Sequence, residues 1–137
     1  MANYKIEEIE GIGPAYGEKL RQAGVKSTDA ILKKGCDRKG RQELAEATGL
    51  DASLILTWVN MADLFRVKGI GAEYAELLKK SGVDTVKELR HRNPENLLAK
   101  MTEINSAGRQ LVRSLPSLKE VESWVTLAKK LDPVVTH

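Results

Sequence analysis

Apolar residues recur along this chain at helical rather than strand spacing. Leu44, Ala47 and Leu50 form one stripe; Leu54, Trp58, Ala62 and Phe65 form a second; Val121, Trp124, Val125, Ala128 and Leu131 form a third. Strict alternation, the mark of a half-buried strand, is nearly absent. Helix boundaries are also written locally. Asn93-Pro94 places a capping residue before a proline in the first turn, and Ser117 with Glu120 and Thr85 with Glu88 have capping-box spacing. Gly24, Gly49 and Gly82 each end a helical pattern. The stretch from Leu54 to Val67 reads as one continuous helix. The pattern predicts an all-α protein of nine or ten short helices.

The chain also repeats itself. Residues 9–31, IEGIGPAYGEKLRQAGVKSTDAI, align without gaps on residues 67–89, VKGIGAEYAELLKKSGVDTVKEL. Gly11, Ile12, Gly13, Tyr16, Leu20, Gly24 and Val25 fall on Gly69, Ile70, Gly71, Tyr74, Leu78, Gly82 and Val83. Further on, Trp58-Val59 and Ala62 align with Trp124-Val125 and Ala128, but at a longer offset. The second copy therefore carries an insertion, expected between Asn93 and Leu115. The copies run from 1 to 62 and from 63 to 137. No Pro/Gly/Ser-rich linker separates them, so one compact helical domain with a shared core is expected.

Each copy holds a Gly-Ile-Gly segment followed at once by a helix start, at Pro14 or Ala72. Two glycines permit a very tight turn. The isoleucine between them is expected to point inward and pin the turn to the core. Backbone N–H groups then cluster at a helix N-terminus with no side chains over them, an arrangement that favours an anionic oxygen. Tyr16 and Tyr74 read as half-buried packing residues, and Gly17 and Ala75 as small residues beside a passing helix.

These segments resemble the helix-hairpin-helix motif: an apolar position, a Gly-apolar-Gly turn, then a helix with a small residue and a leucine facing inward. Over its length, including Trp58-Val59-Asn60 and Ala62-Asp63-Leu64, the chain is similar to a bacterial family of tandem helix-hairpin-helix proteins of unknown function. The resemblance implies two such repeats, with turn amides holding a phosphate of duplex DNA without reading bases. It also allows a monovalent cation on the turn carbonyls. The implied binding residues are Gly11, Ile12, Gly13 and Gly69, Ile70, Gly71, with Lys19 and Lys68 assisting. The two turns stand farther apart in sequence than in compact double-hairpin DNA binders.

Composition narrows the ligand. The formal charge is +3 and the pI about 9.0, a mild bias compatible with a polyanion. Aromatic residues make up only 4 %, which argues against single-strand binding by base stacking. Two basic segments, Lys33 to Arg41 and Arg90-His91-Arg92, follow the turns at corresponding places and suit either a phosphate surface or a solvated turn. Asn60 and Asp63 read as capping or inter-helix hydrogen-bonding residues. One cysteine, Cys36, and two histidines, His91 and His137, do not make a zinc site. No phosphate loop, serine elbow or carboxylate pair at catalytic spacing is present, so no enzyme, no organic cofactor and no small-molecule substrate is expected. The lone cysteine, the absence of a long apolar run and a polar N-terminal segment fit the cytoplasm. The expected function is sequence-independent binding of nucleic acid, duplex DNA in particular. The alternative is a protein-interaction or scaffold module in which the turns serve only the fold.

Overall fold

A computed structural model describes residues 3–108 and 110–137. Met1 and Ala2, at the start of the expected first copy, and Arg109, inside the expected insertion, lie outside the described residues. Among the described residues, eight α-helices follow a single 3-10 turn at Ile6–Glu8: α1 (Pro14–Gln22), α2 (Thr28–Gly35), α3 (Arg38–Thr48), α4 (Ala52–Leu64), α5 (Ala72–Lys80), α6 (Val86–Leu89), α7 (Pro94–Ala107) and α8 (Leu118–Lys130). The only pairing of extended backbone among the described residues is an isolated antiparallel bridge between Lys5 and Ser27. Residues 132–137 form an irregular strap after α8. Among the described residues no helix is long and apolar enough to cross a membrane.

The helices pack as two sets that share three internal pairings, and the first set adds α2 on α3. In the first set α1 meets α3, α2 meets α4, and α3 meets α4. In the second, α5 meets α7, α6 meets α8, and α7 meets α8. α4 also packs on α5 and so joins the sets. The expected helix from Leu54 to Val67 stops at Leu64, and α4 runs through Ala62–Asp63 directly toward the second set. The insertion resolves into two parts: α7 has 14 residues where α3 has 11, and the α7–α8 connection is long where the α3–α4 connection is short.

One continuous apolar core links both sets, with Trp58, Trp124, Phe65, Ile31, Leu64 and Leu77 among its most buried side chains. Helix starts follow the sequence signals in most places. Ser117 and Glu120 form the capping box at α8, and Asn93 caps α7 through Asn96 N–H. The box expected at Thr85 and Glu88 does not form. The N-terminus of α6 is capped instead from α4: the buried Asp63 carboxylate accepts from Val86 N–H at 2.9 Å and from Arg66 at 2.8 Å.

Candidate nucleic-acid interface

The two Gly-Ile-Gly turns have nearly the same geometry. Ile12 N–H donates to Ile9 O and Ile70 N–H to Val67 O, both at 3.1 Å. Gly11 and Gly69 take φ of +92° and +97°, where only glycine sits without strain. Gly13 and Gly71 are extended N-cap residues, at φ −85° and −100°. Ile12 and Ile70 are buried, and all four glycines are exposed. The turn chemistry expected of these residues is therefore present: the isoleucine anchors, and the glycine backbone faces water.

Above each turn lies a tryptophan from the last helix of the same set. A Cβ at Gly11 would stand 3.9 Å from Trp58 Nε1, and one at Gly69 only 2.9 Å from Trp124 Nε1. Tyr16 packs on Trp58 with ring centroids 5.3 Å apart, and Tyr74 on Trp124 at 5.2 Å. Both tyrosines pack on a tryptophan, but only Tyr74 is half-buried as expected; Tyr16 lies at the surface, 38 % exposed. Burial, reinforced by the charges of Glu120 and Glu73, pushes the Tyr74 hydroxyl pKa up. It stays protonated and donates to Ser114 O at 3.0 Å.

Neither helix start has a side-chain cap. Among the described residues, the N–H groups of Ala15 and Tyr16, and of Glu73 and Tyr74, reach no intramolecular acceptor. Helix geometry leaves these groups without partners, and here no serine, threonine or aspartate takes them up. Pro14 removes one N–H from the first copy.

The charges around the turns differ from those expected. Lys68 is exposed beside Gly69, but Lys19 lies in the last turn of α1, at the far end from Gly13. Two further sources of charge appear that the repeat pattern does not announce. Lys79 and Lys80, at the end of α5, line a cleft of about 290 Å³ together with Gly11, Trp58, Glu10 and Glu76. Arg113 lines a second cleft, of about 410 Å³, with Gly69, Gly71, Ala72 and Glu73. Arg113 sits on the inserted α7–α8 connection. Asn105 fixes that connection by accepting from Leu111 and Val112 N–H at 2.8 and 3.1 Å and donating to Val112 O at 3.2 Å. α5 begins at the second turn and ends facing the first. Its nine residues span about 13 Å, so the turns flank it from opposite ends.

Most of the two basic segments is used inside the fold. Lys34 donates to Ala23 O at 3.3 Å and Arg92 to Gly82 O at 2.9 Å, closing the ends of α1 and α5 in parallel fashion. Lys33 pairs with Asp29 at 3.1 Å. Arg41 is buried and donates to Gly35 O at 2.8 Å and to Thr136 O at 2.7 Å. Arg38 and Lys39 remain exposed and make no ion pair among the described residues. Cys36 is half-buried, with its thiol on Lys33 O at 3.4 Å. No cluster of three metal-ligating side chains occurs among the described residues.

Residues 10–131 match the family model of a domain of unknown function, DUF4332. No curated protein and no solved structure matches the chain.

Proposed function

The chain belongs to the DUF4332 family, and we propose that it is a non-catalytic, sequence-independent nucleic-acid-binding protein that holds duplex DNA by the backbone amides of two helix-hairpin-helix turns. One observation carries this reading. Two exposed helix starts with near-identical dihedrals both lack a side-chain cap. Such amides suit a phosphate oxygen, and the helix dipole adds to the attraction. Arg113 and Lys68 at the second turn, and Lys79 and Lys80 at the first, supply cations. Contacts of this kind position a protein on the phosphate backbone and carry no base information. The turns flank α5, whose length of roughly 13 Å is short beside one helical turn of duplex, about 34 Å. The mild basic charge suits the same ligand, and the single thiol suits a reducing cytoplasm.

A protein-interaction role is the second reading. It is favoured by Glu10 and Glu76 beside the first turn and Glu73 beside the second, since carboxylates repel phosphate.

The two readings separate at the caps. A Cβ at Gly13 or Gly71 would meet nothing within 4 Å, and neither residue has a positive φ. Gly13→Asp and Gly71→Asp therefore fit. Each places a carboxylate on the very amides assigned to phosphate, and changes helix stability by only a few tenths of a kcal/mol. Duplex binding should weaken by about tenfold in each variant, the loss of a charge-assisted hydrogen bond of about 1.5 kcal/mol. It should weaken further in the double variant, while the melting temperature holds. In the unaltered protein, log K should fall against log salt with a slope of about −2 to −4, at about 0.9 per phosphate. Absence of duplex binding at low salt by the folded protein removes this reading and leaves the protein-interaction one.

A further inference from the structure

The strap after α8 is held by arginines. Arg90 donates to Lys129 O at 3.0 Å, Arg66 to Asp132 O at 2.8 Å and Arg41 to Thr136 O at 2.7 Å. Thr136 answers with its own N–H on Cys36 O at 2.8 Å. These three arginines come from α3, from the turn after α4 and from the end of α6. They converge on backbone carbonyls at the end of α8 and in the strap.

Arg41 is the unusual member. It is 4 % exposed, yet no carboxylate lies within ion-pair distance of it among the described residues. Asp37, one helical turn before it, accepts instead from Gly40 N–H at 2.7 Å. A buried guanidinium normally has an anionic partner, because desolvation of the charge is otherwise poorly offset. Here its partners are two neutral carbonyls, one of them supplied by the strap.

Apart from these hydrogen bonds the strap has little apolar anchoring. Of residues 132–137 only Val135 is buried. Segments with so few buried contacts open locally at low free energy. A cleft flanks the strap on each side, and His137 borders both. One, of about 260 Å³, is lined by Arg38, Arg41 and Gln42. The other, of about 440 Å³, is lined by Lys87, Glu88 and His91. With the strap lifted the two would form one groove with Arg38, Arg41 and Lys87 along it, the nearby acids being Glu88 beside Lys87 and Asp37 beside Arg41.

We propose that residues 132–137 are a detachable cover over a second anion-binding groove, walled by Arg38, Arg41 and Lys87, and that a phosphodiester backbone displaces it. An ionised phosphate oxygen makes a shorter and stronger bond to a guanidinium than a neutral carbonyl does. The strap is thus an internal competitor that the ligand outbids. This groove is separate from the Gly-Ile-Gly turns and does not depend on them. Linkage makes the device reciprocal: whatever factor strap release adds to duplex affinity, duplex adds to strap release.

The test uses the full chain and a random-sequence duplex oligonucleotide. Saturating duplex should accelerate amide hydrogen exchange at Thr136. Val135→Ser removes the strap's buried anchor and should raise duplex affinity by about tenfold, the masking factor of a site open a tenth of the time. Arg38→Gln or Lys87→Gln, both at exposed positions that the fold does not need, should cancel that gain. The gain should persist on the Gly13→Asp/Gly71→Asp background, where the turns are blocked. Unchanged Thr136 exchange under saturating duplex overturns the proposal. So does a released strap in Val135→Ser, shown by fast Thr136 exchange, with no rise in affinity. A gain lost only when the turns are blocked overturns the separate groove and leaves the turn reading standing.

Discussion

At Gly69 the backbone takes φ +97° and a Cβ would come within 2.9 Å of the Trp124 indole nitrogen. At Gly11 the dihedral is similar, at +92°, but the gap to Trp58 is 3.9 Å. Both positions exclude a side chain on conformational grounds, at about 1–3 kcal/mol, and only the second adds a collision with a buried ring. Gly69→Ala should therefore lower the midpoint of chemical denaturation more than Gly11→Ala; equal losses would show that the indole yields freely. A second residue-scale expectation concerns pH. The hydrogen bonds from Arg21 hold the Glu7 carboxyl down, from 4.5 to about 2, with help from its own backbone N–H. A depressed carboxylate pKa adds stability above the unfolded value that is lost as pH falls through the folded one. The Glu7–Arg21 pair should thus be intact above pH 4.5 and fade toward pH 2. A carboxyl NMR titration of Glu7 checks this, and Glu7→Gln should flatten the acid limb of the stability curve in that window. The same carboxylate lies against residue 17. A Cβ there would stand 2.6 Å from Glu7 Oε2, so the crowding comes from a salt-bridging side chain rather than from a neighbouring helix.

Among the elements, α4 and α8 do corresponding work: each brings a tryptophan over its own Gly-Ile-Gly turn and packs it on a tyrosine. Trp58 is almost wholly buried. Trp58→Ala should cost about 3–5 kcal/mol, visible in thermal melts, and should also loosen Tyr16 and the first turn. An unchanged melting curve would mean that the ring contributes little to the core. The helices and turns were legible because their signals are local. Spacings of three and four residues, a Gly-Ile-Gly triplet and a Ser-x-x-Glu box all act within a turn or two of backbone. What escaped reading was set by tertiary approach. Thr85 and Glu88 have capping-box spacing, yet Glu88 reaches back to Asp84 N–H instead, and Asp63 from another helix takes the Val86 amide. Lys79 and Lys80 face the first turn only because α5 packs along α4. Arg113 has no counterpart in the first copy, so alignment of the copies could not single it out. The basic segments, open in the sequence between a phosphate surface and a solvated turn, are also settled by tertiary contacts. Their clustered charge suggested a surface, while Lys34, Arg41 and Arg92 close nearby backbone carbonyls.

In the whole molecule the two sets of helices are tied together at several points. α4 passes into the second turn, Asp63 caps α6, and Arg66 joins Asp63 to the strap. The strap in turn reaches back to the α2–α3 corner through Thr136 and Cys36. Ties that cross between the sets predict that they unfold together. The calorimetric enthalpy should equal the van't Hoff enthalpy, and two separate transitions would show that the ties are weaker than the packing within each set. The position of the strap has a consequence of another kind. The tryptophan pairing places Lys130 where Leu64 stands in the first copy. The residues after Leu64 lead into a new turn and a new set of helices, whereas the residues after Lys130 are Leu131, Asp132 and Pro133. The last helix of each set thus leads out of it, α4 into the second turn and α8 into the strap. The strap runs from the end of α8 back to the α2–α3 corner, and so belts the second set to the first by a route that avoids the α4–α5 packing.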